Sequence, residues 1–183
     1  MKYSIAWVKA LFDADQKLKY IFFWSHQVRK DGQVSKSCFS QWYPSIFEVD
    51  NIQYSSAEQW MMAEKARLFN DLEVLNQILT SASPAEAKKL GRAVRGFDQS
   101  VWNSHKYEIV KIGNYHKFSQ DESLKEFLLQ TQQRILVEAS PYDKIWGVGM
   151  KAGDAGIENP NNWKGINLLG FALMEVRDQL SAG

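Results

Sequence analysis

Apolar positions recur at helical spacing over most of this chain and form strand-like runs only briefly. Tyr20-Ile21-Phe22-Phe23-Trp24 is an unbroken apolar run of the length of a short buried strand. Phe47 to Tyr54 is interrupted by Asp50-Asn51, a pair suited to a hairpin tip, and Ile135 to Glu138 reads as one more short strand. Elsewhere the pattern turns helical. Ser55-x-x-Glu58 has the form of a capping box opening a helix to about Phe69. Asp71 suits the cap of a second helix, with Leu72, Leu75, Ile78 and Leu79 on one face. Ser83-Pro84-Ala85-Glu86 starts a third that stops at Gly91. A long helix from about Gln99 to Phe118 buries Trp102, Ile109, Ile112 and Tyr115, with Gly113 its weak point, and Asp121 caps another carrying Leu124, Phe127 and Leu128. A last helix runs from about Leu168 to Leu180. The pattern predicts a mainly α-helical α+β fold, a single domain over residues 20–183 with a few short strands. Residues 1–19, weakly amphipathic through Ile5, Val8, Leu11 and Phe12, form an extension expected to pack on it.

Composition narrows the function. With 183 residues the chain is long enough for one well-buried core. Its 22 basic and 21 acidic residues leave a net charge of +1, which gives no long-range field for duplex nucleic acid or an anionic membrane. The lone Cys38, the lack of a signal-like apolar start and the lack of an 18-residue apolar span make the cytoplasm the expected compartment, without a membrane partner. Neither G-x-G-x-x-G nor G-x-x-x-x-G-K-S/T occurs, and His26, His105 and His116 are dispersed without ligand spacing, so no cofactor and no metal are expected. Seven Trp, seven Tyr and ten Phe exceed what a plain helical bundle requires, and a pocket for a flat ligand draws on the same stock as a core.

Two fragments carry candidate chemistry. Seven residues at 100° each place Lys65 within about 20° of Glu58 on one helical face and roughly 10 Å further along the axis. Asp143 precedes Trp146-Gly147 in a turn begun by Ser140-Pro141. Carboxylates, an amine and indoles are what glycosidic cleavage uses, because an oxocarbenium-like transition state is stabilised by an anion, a proton donor and a flat apolar wall. Each residue also has a plainer role: Glu58 as the third helical residue of a capping box, Lys65 as a surface lysine, Asp143 satisfying its own turn. Residues 147–165, with five glycines, form a loop too long to be a mere connector, placed to close over or wrap a phosphate-bearing ligand.

The order of these pieces resembles the NADAR (YbiA-like) N-glycosidases. The matching stretches are Ser56 to Ala66 (S-x-E-Q-x-x-x-A-x-K-A), Ala87 to Arg92, Trp102 to Lys106, Lys117-Phe118, Leu136-Val137-Glu138, Asp143 to Gly147 (D-x-x-W-G), Gly165 to Gly170 (G-x-N-x-L-G) and Leu173 to Arg177. The resemblance implies catalytic roles for Glu58, Asp143 and Lys65, the lysine either bonding C1′ covalently or anchoring phosphate. It further implies base stacking by Trp146 with close backbone approach at Gly147. It makes Trp102 a pocket wall, Lys106 a phosphate ligand and Asn167 a hydrogen-bonding partner of sugar or phosphate, each with a structural alternative. Ile166, where many relatives carry a polar or basic residue, and an insert-like stretch at 28–43 depart from the pattern and bear on substrate choice.

The activity implied by the resemblance is that of a cofactor-free hydrolase cleaving the C1′–N bond of a phosphorylated ribosyl compound. Two substrate classes are implied: the ribosylamino-pyrimidine phosphates of riboflavin synthesis, or ADP-ribose on guanine, possibly within nucleic acid. A non-catalytic module that binds ADP-ribose or a related nucleotide is the alternative.

Overall fold

The computed structural model describes residues 1–182. In chain order its elements are α1 (Ile5–Asp13), β1 (Tyr20–Phe23), a 3-10 turn (Lys36–Phe39), β2 (Phe47–Val49), β3 (Ile52–Tyr54), α2 (Ala57–Leu68), α3 (Leu72–Leu79) and α4 (Pro84–Arg92). These are followed by α5 (Gln99–Ser119), α6 (Glu122–Leu129), β4 (Ile135–Glu138), a second 3-10 turn (Pro160–Asn162) and α7 (Leu168–Ser181). The mainly helical α+β class holds. The chain forms two compact units, one of Gln41–Glu122 and one of Met1–Ser40 with the chain from Ser123 onward.

In the Gln41–Glu122 unit, β2 and β3 pair antiparallel with Phe47 opposite Tyr54. Asp50 and Asn51 form the tip at φ 52° and 61°, the left-handed pair that a two-residue hairpin loop requires. Helix α2 is the centre, packed against α3, α4 and α5. Two glycines set these approaches. A Cβ on Gly91 of α4 would meet Met62 Sδ at 2.1 Å, and one on Gly113 of α5 would meet Trp60 Cδ1 at 2.2 Å. Gly113, expected as a weak point, is therefore where α5 admits the indole, whose Nε1 donates to Ile109 O at 2.8 Å.

The start of α2 differs from expectation by one residue. The cap is Ser56, whose Oγ accepts from Gln59 N at 3.2 Å, and the reciprocal half of the box is Gln59 Oε1, which accepts from Ser55 N at 2.7 Å. Glu58 does not serve as the capping acid. Gln59 Nε2 also donates to Ile78 O at 2.9 Å and Leu79 O at 3.2 Å, tying α2 to the end of α3. Gln59→Ala is accordingly expected to lower unfolding free energy by about 2 kcal/mol in urea titration, from the lost box and the orphaned carbonyls. A loss no greater than that of an exposed-site control would contradict this assignment. The buried face of α5 also differs: Val110, Gly113, Asn114, Lys117 and Phe118 are buried, while Ile112 is exposed. Two polar residues hold positions that binary patterning reserves for apolar ones.

In the other unit, β1 and β4 pair parallel from Tyr20↔Ile135 to Phe23↔Glu138, and α7 packs on β4. Trp24, read as part of the buried run, lies just beyond β1 and is 49% exposed. The extension docks at both ends of α1: just ahead of it Tyr3 Oη donates to Asp178 at 2.7 Å, and at its last residue Asp13 accepts from Asn161 Nδ2 at 2.8 Å. The 147–165 segment does not stand open as a lid. Val148, Met150, Ile157 and Trp163 are buried, Trp163 Nε1 donates to Ile157 O at 2.6 Å, and a Cβ on Gly165 would meet Gly147 O at 2.3 Å. Its glycines allow the segment to pack on its own chain.

Candidate functional site

Glu58 is the second residue of α2 and only 3% exposed. Its N–H donates to Gln41 O at 2.9 Å, and with Ser56 and Gln59 forming the cap, the carboxylate is relieved of that duty. The positive end of the helix favours its anion. Asn114 donates to Gln41 Oε1 at 2.8 Å, and one turn along α5 the Lys117 amine lies 5.5 Å from the Tyr43 ring centre. Glu58 and Lys117 thus adjoin one short segment, Gln41 to Tyr43. Lys117 is 1% exposed. It was visible in sequence only as half of a Lys-Phe motif, and the signal available was a lysine three residues beyond Asn114 on the buried face of α5.

Two turns along α2, Lys65 Nζ donates to Gly91 O at 2.7 Å and lies 4.2 Å from the Phe97 ring centre and 5.8 Å from that of Trp102. Among the described residues no carboxylate pairs with it. Burial pushes its pKa below the ordinary lysine value. The structure therefore brings Lys65 and Trp102 together and adds Phe97, which no motif in the sequence marks. Lys106, one turn on from Trp102, is half-buried and donates to Asn103 Oδ1 at 2.6 Å.

On the other unit, Asp143 Oδ1 accepts from Ile145 N at 2.8 Å and Trp146 N at 2.7 Å, so the carboxylate does shape its own turn. Its Oδ2 makes no hydrogen bond among the described residues and stays available to a ligand. Gly147 is required by the chain itself, since a Cβ there would meet Glu138 O at 2.8 Å. Asn167, at φ 54°, directs both ends of its amide to the β4 backbone: Oδ1 accepts from Glu138 N at 3.0 Å and Nδ2 donates to Leu136 O at 2.9 Å. Its observed contacts are those of a clamp. Trp146 is half-buried. Beside Asp143, Tyr142 is 82% exposed and its ring centre is 6.0 Å from that of Trp24, an open aromatic pair that sequence alone assigned to no site. The exposure of both rings, Trp24 just beyond β1 and Tyr142 in the turn before Asp143, is the signal that reveals it.

Among the described residues no three His, Cys, Asp or Glu side chains converge as metal ligands, and no helix is long and apolar enough to cross a membrane.

Known proteins share both the sequence pattern and the fold. Residues 22–181 match the NADAR domain model. N-glycosidase R617 of Acanthamoeba polyphaga mimivirus is 43% identical over 166 residues, 88% of this chain and 96% of that protein. The chloroplastic riboflavin biosynthesis protein PYRR of Zea mays is 33% identical over 112 residues, 59% of this chain and 16% of that protein. The NMR structure of the E. coli protein YbiA superposes with a TM-score of 0.71 at 27% identity, covering 91% of this chain and 88% of that one.

Proposed function

The chain belongs to the NADAR domain family, and we propose that it is an N-glycosidase cleaving the C1′–N bond of a phosphorylated ribosyl compound without a cofactor. The observation that carries this reading is Glu58: a buried carboxylate at a helix N-terminus, released from capping, on the same helix as an amine flanked by aromatic rings. As the C1′–N bond weakens, positive charge develops on C1′ and the ring oxygen, and the Glu58 anion stabilises it. A glycosylamine also opens to an imine. The neutral Lys65 amine then adds to C1′ and the base departs as its free amine, which leaves the sugar as a lysine imine. Water adds to that imine, releasing the aldehyde sugar and restoring the amine. Burial lowers the Lys65 pKa and so raises the fraction of neutral amine available for this addition. Trp102 supplies a wall and Lys106 a charge for phosphate. Asp143 Oδ2 is suited to accept from a ribose hydroxyl or to orient water, and Trp146 to stack on the base.

The riboflavin-related relative favours ribosylamino-pyrimidine phosphates as substrate, with ADP-ribose on guanine the other class. The deciding experiment incubates the protein with each substrate class in EDTA-containing buffer and measures free ribose 5-phosphate or ADP-ribose. Release that depends on protein is expected from one class. Saturable binding without release from either class identifies the alternative, a binding module.

The exposed pair Trp24 and Tyr142 is assigned to the flat base. Base stacking on an aromatic ring is worth about 1–3 kcal/mol, so Tyr142→Ala should raise KM by about ten-fold or more while kcat and melting temperature stay near those of the parent. An unchanged KM would remove the pair from the substrate's path.

A further inference from the structure

The unit that holds α1, β4 and α7 contains a cavity of about 840 Å³, within the range of small-molecule sites. Five cationic residues line it, Lys2, Lys17, Lys19, Arg134 and Arg177, against one carboxylate, Asp178. In a chain with net charge +1, this is a local concentration of positive charge. Lys2 is paired with Asp178. The other four make no ion pair among the described residues.

Arg177 sets this cavity apart from a patch of surface lysines. It is 4% exposed, and its Nη1 donates to Thr131 Oγ1 and Arg134 O, both at 2.8 Å. Its Nε and Nη2 make no hydrogen bond among the described residues. Burial lowers its pKa, and a guanidinium held in that way gains from an anion that completes its hydrogen bonds. Aromatic rings also line the cavity: Tyr3 and Trp7 pack edge to face with ring centres 4.8 Å apart. The Tyr3 hydroxyl is fixed by its bond to Asp178. Much of the wall comes from residues 2–19, outside the 22–181 family match, and includes none of the residues assigned to glycosidic cleavage.

We propose that this cavity is a second ligand site, for a small ring compound bearing a diphosphate, of the nucleoside diphosphate kind. The Arg177 fork and the lysines of the 17–19 segment receive the phosphates, and the Tyr3–Trp7 wall receives the ring. The cationic lining calls for more than one negative charge, and a concave pocket with an aromatic wall suits a compact ligand better than a polymer laid along an open surface.

Titration of the ¹⁵N-labelled full chain with ADP and with pyrophosphate tests the assignment. The amides of Lys17, Leu18, Lys19, Gln132, Gln133 and Arg134 and the Trp7 indole N–H should shift together along one saturable curve, with ADP binding more tightly than pyrophosphate. The variant Lys17→Glu/Lys19→Glu changes two exposed residues, and its spectrum should show the parent fold while requiring about ten-fold more ADP or beyond. Shifts around Trp102 or Asp143 report the cleavage residues and are scored apart, so failure of one assignment leaves the other standing. Absence of the 17–19 and 132–134 shifts at millimolar ADP overturns the site, as does a charge-reversed variant that binds equally well. Shifts of this set by a single-stranded oligonucleotide but not by ADP overturn the small-ligand assignment.

Discussion

Glu58→Gln is expected to fold as the parent does and to lose turnover by about 100-fold or more, the usual cost of removing one pre-positioned electrostatic partner of a transition state. The separation of the two effects comes from the start of α2. A glutamate in the reciprocal position of a capping box is spent on backbone, and its amide replacement would touch stability first. Here that position belongs to Gln59, which accepts from Ser55 N and donates to the end of α3. Glu58 is buried next to it with its carboxylate outside the cap. Glutamine keeps the shape and can still hydrogen-bond, so unfolding free energy should move by about 1 kcal/mol or less. What it removes is the negative charge opposite a developing cation. The measurements are kcat from product release and the urea midpoint of the same preparation. A variant that turns over normally, or one that unfolds, would return Glu58 to a structural role.

The off-by-one cap shows why part of this fold was legible and part was not. Ser55 and Ser56 are each followed three residues later by a side chain that can complete a box, so local pattern cannot choose between them. The choice is made at long range by the Ile78 and Leu79 carbonyls that receive the Gln59 amide. Elements fixed by local chemistry were readable: the Asp50-Asn51 hairpin, the Ser83-Pro84 helix start, the short strand at 135–138. Features fixed by what approaches from elsewhere were not. Lys117 and Asn114 are buried on a face that patterning makes apolar, because residues 41–43 come down to meet them. Gly147 reads equally well as a place for the backbone to approach a ligand or another part of the chain, and the structure shows the second: a Cβ there would meet Glu138 O at 2.8 Å. Asn167, expected to hydrogen-bond sugar or phosphate, directs both ends of its amide to the β4 backbone, a partner set by the fold and not by local pattern. The cationic cavity is assembled from residues 2–19, 132–135 and 174–178, and no linear motif announces it.

Lys65→Arg should abolish turnover, by about 1,000-fold or more, although it keeps the positive charge and can still reach a carbonyl acceptor. The guanidinium stays protonated and does not form an imine, whereas the lysine amine is half-buried, ringed by Phe97 and Trp102 and shifted by desolvation toward its neutral form. The sign of that shift sets the pH dependence. A pKa below the ordinary lysine value gives a larger nucleophilic fraction at any pH beneath it, so activity should rise with pH toward the lowered pKa until the amine is fully neutral. Borohydride added during turnover should reduce the intermediate and leave a sugar on the peptide carrying Lys65, with no adduct in the arginine variant. The two readouts bear on different steps. Loss of turnover alone is also what a misplaced phosphate anchor produces, while a trapped adduct requires a carbon–nitrogen bond at C1′. If the arginine variant remains active and mass spectrometry finds the lysine peptide unmodified, Lys65 is an anchor and water attacks C1′ directly, with Glu58 left to stabilise the cation.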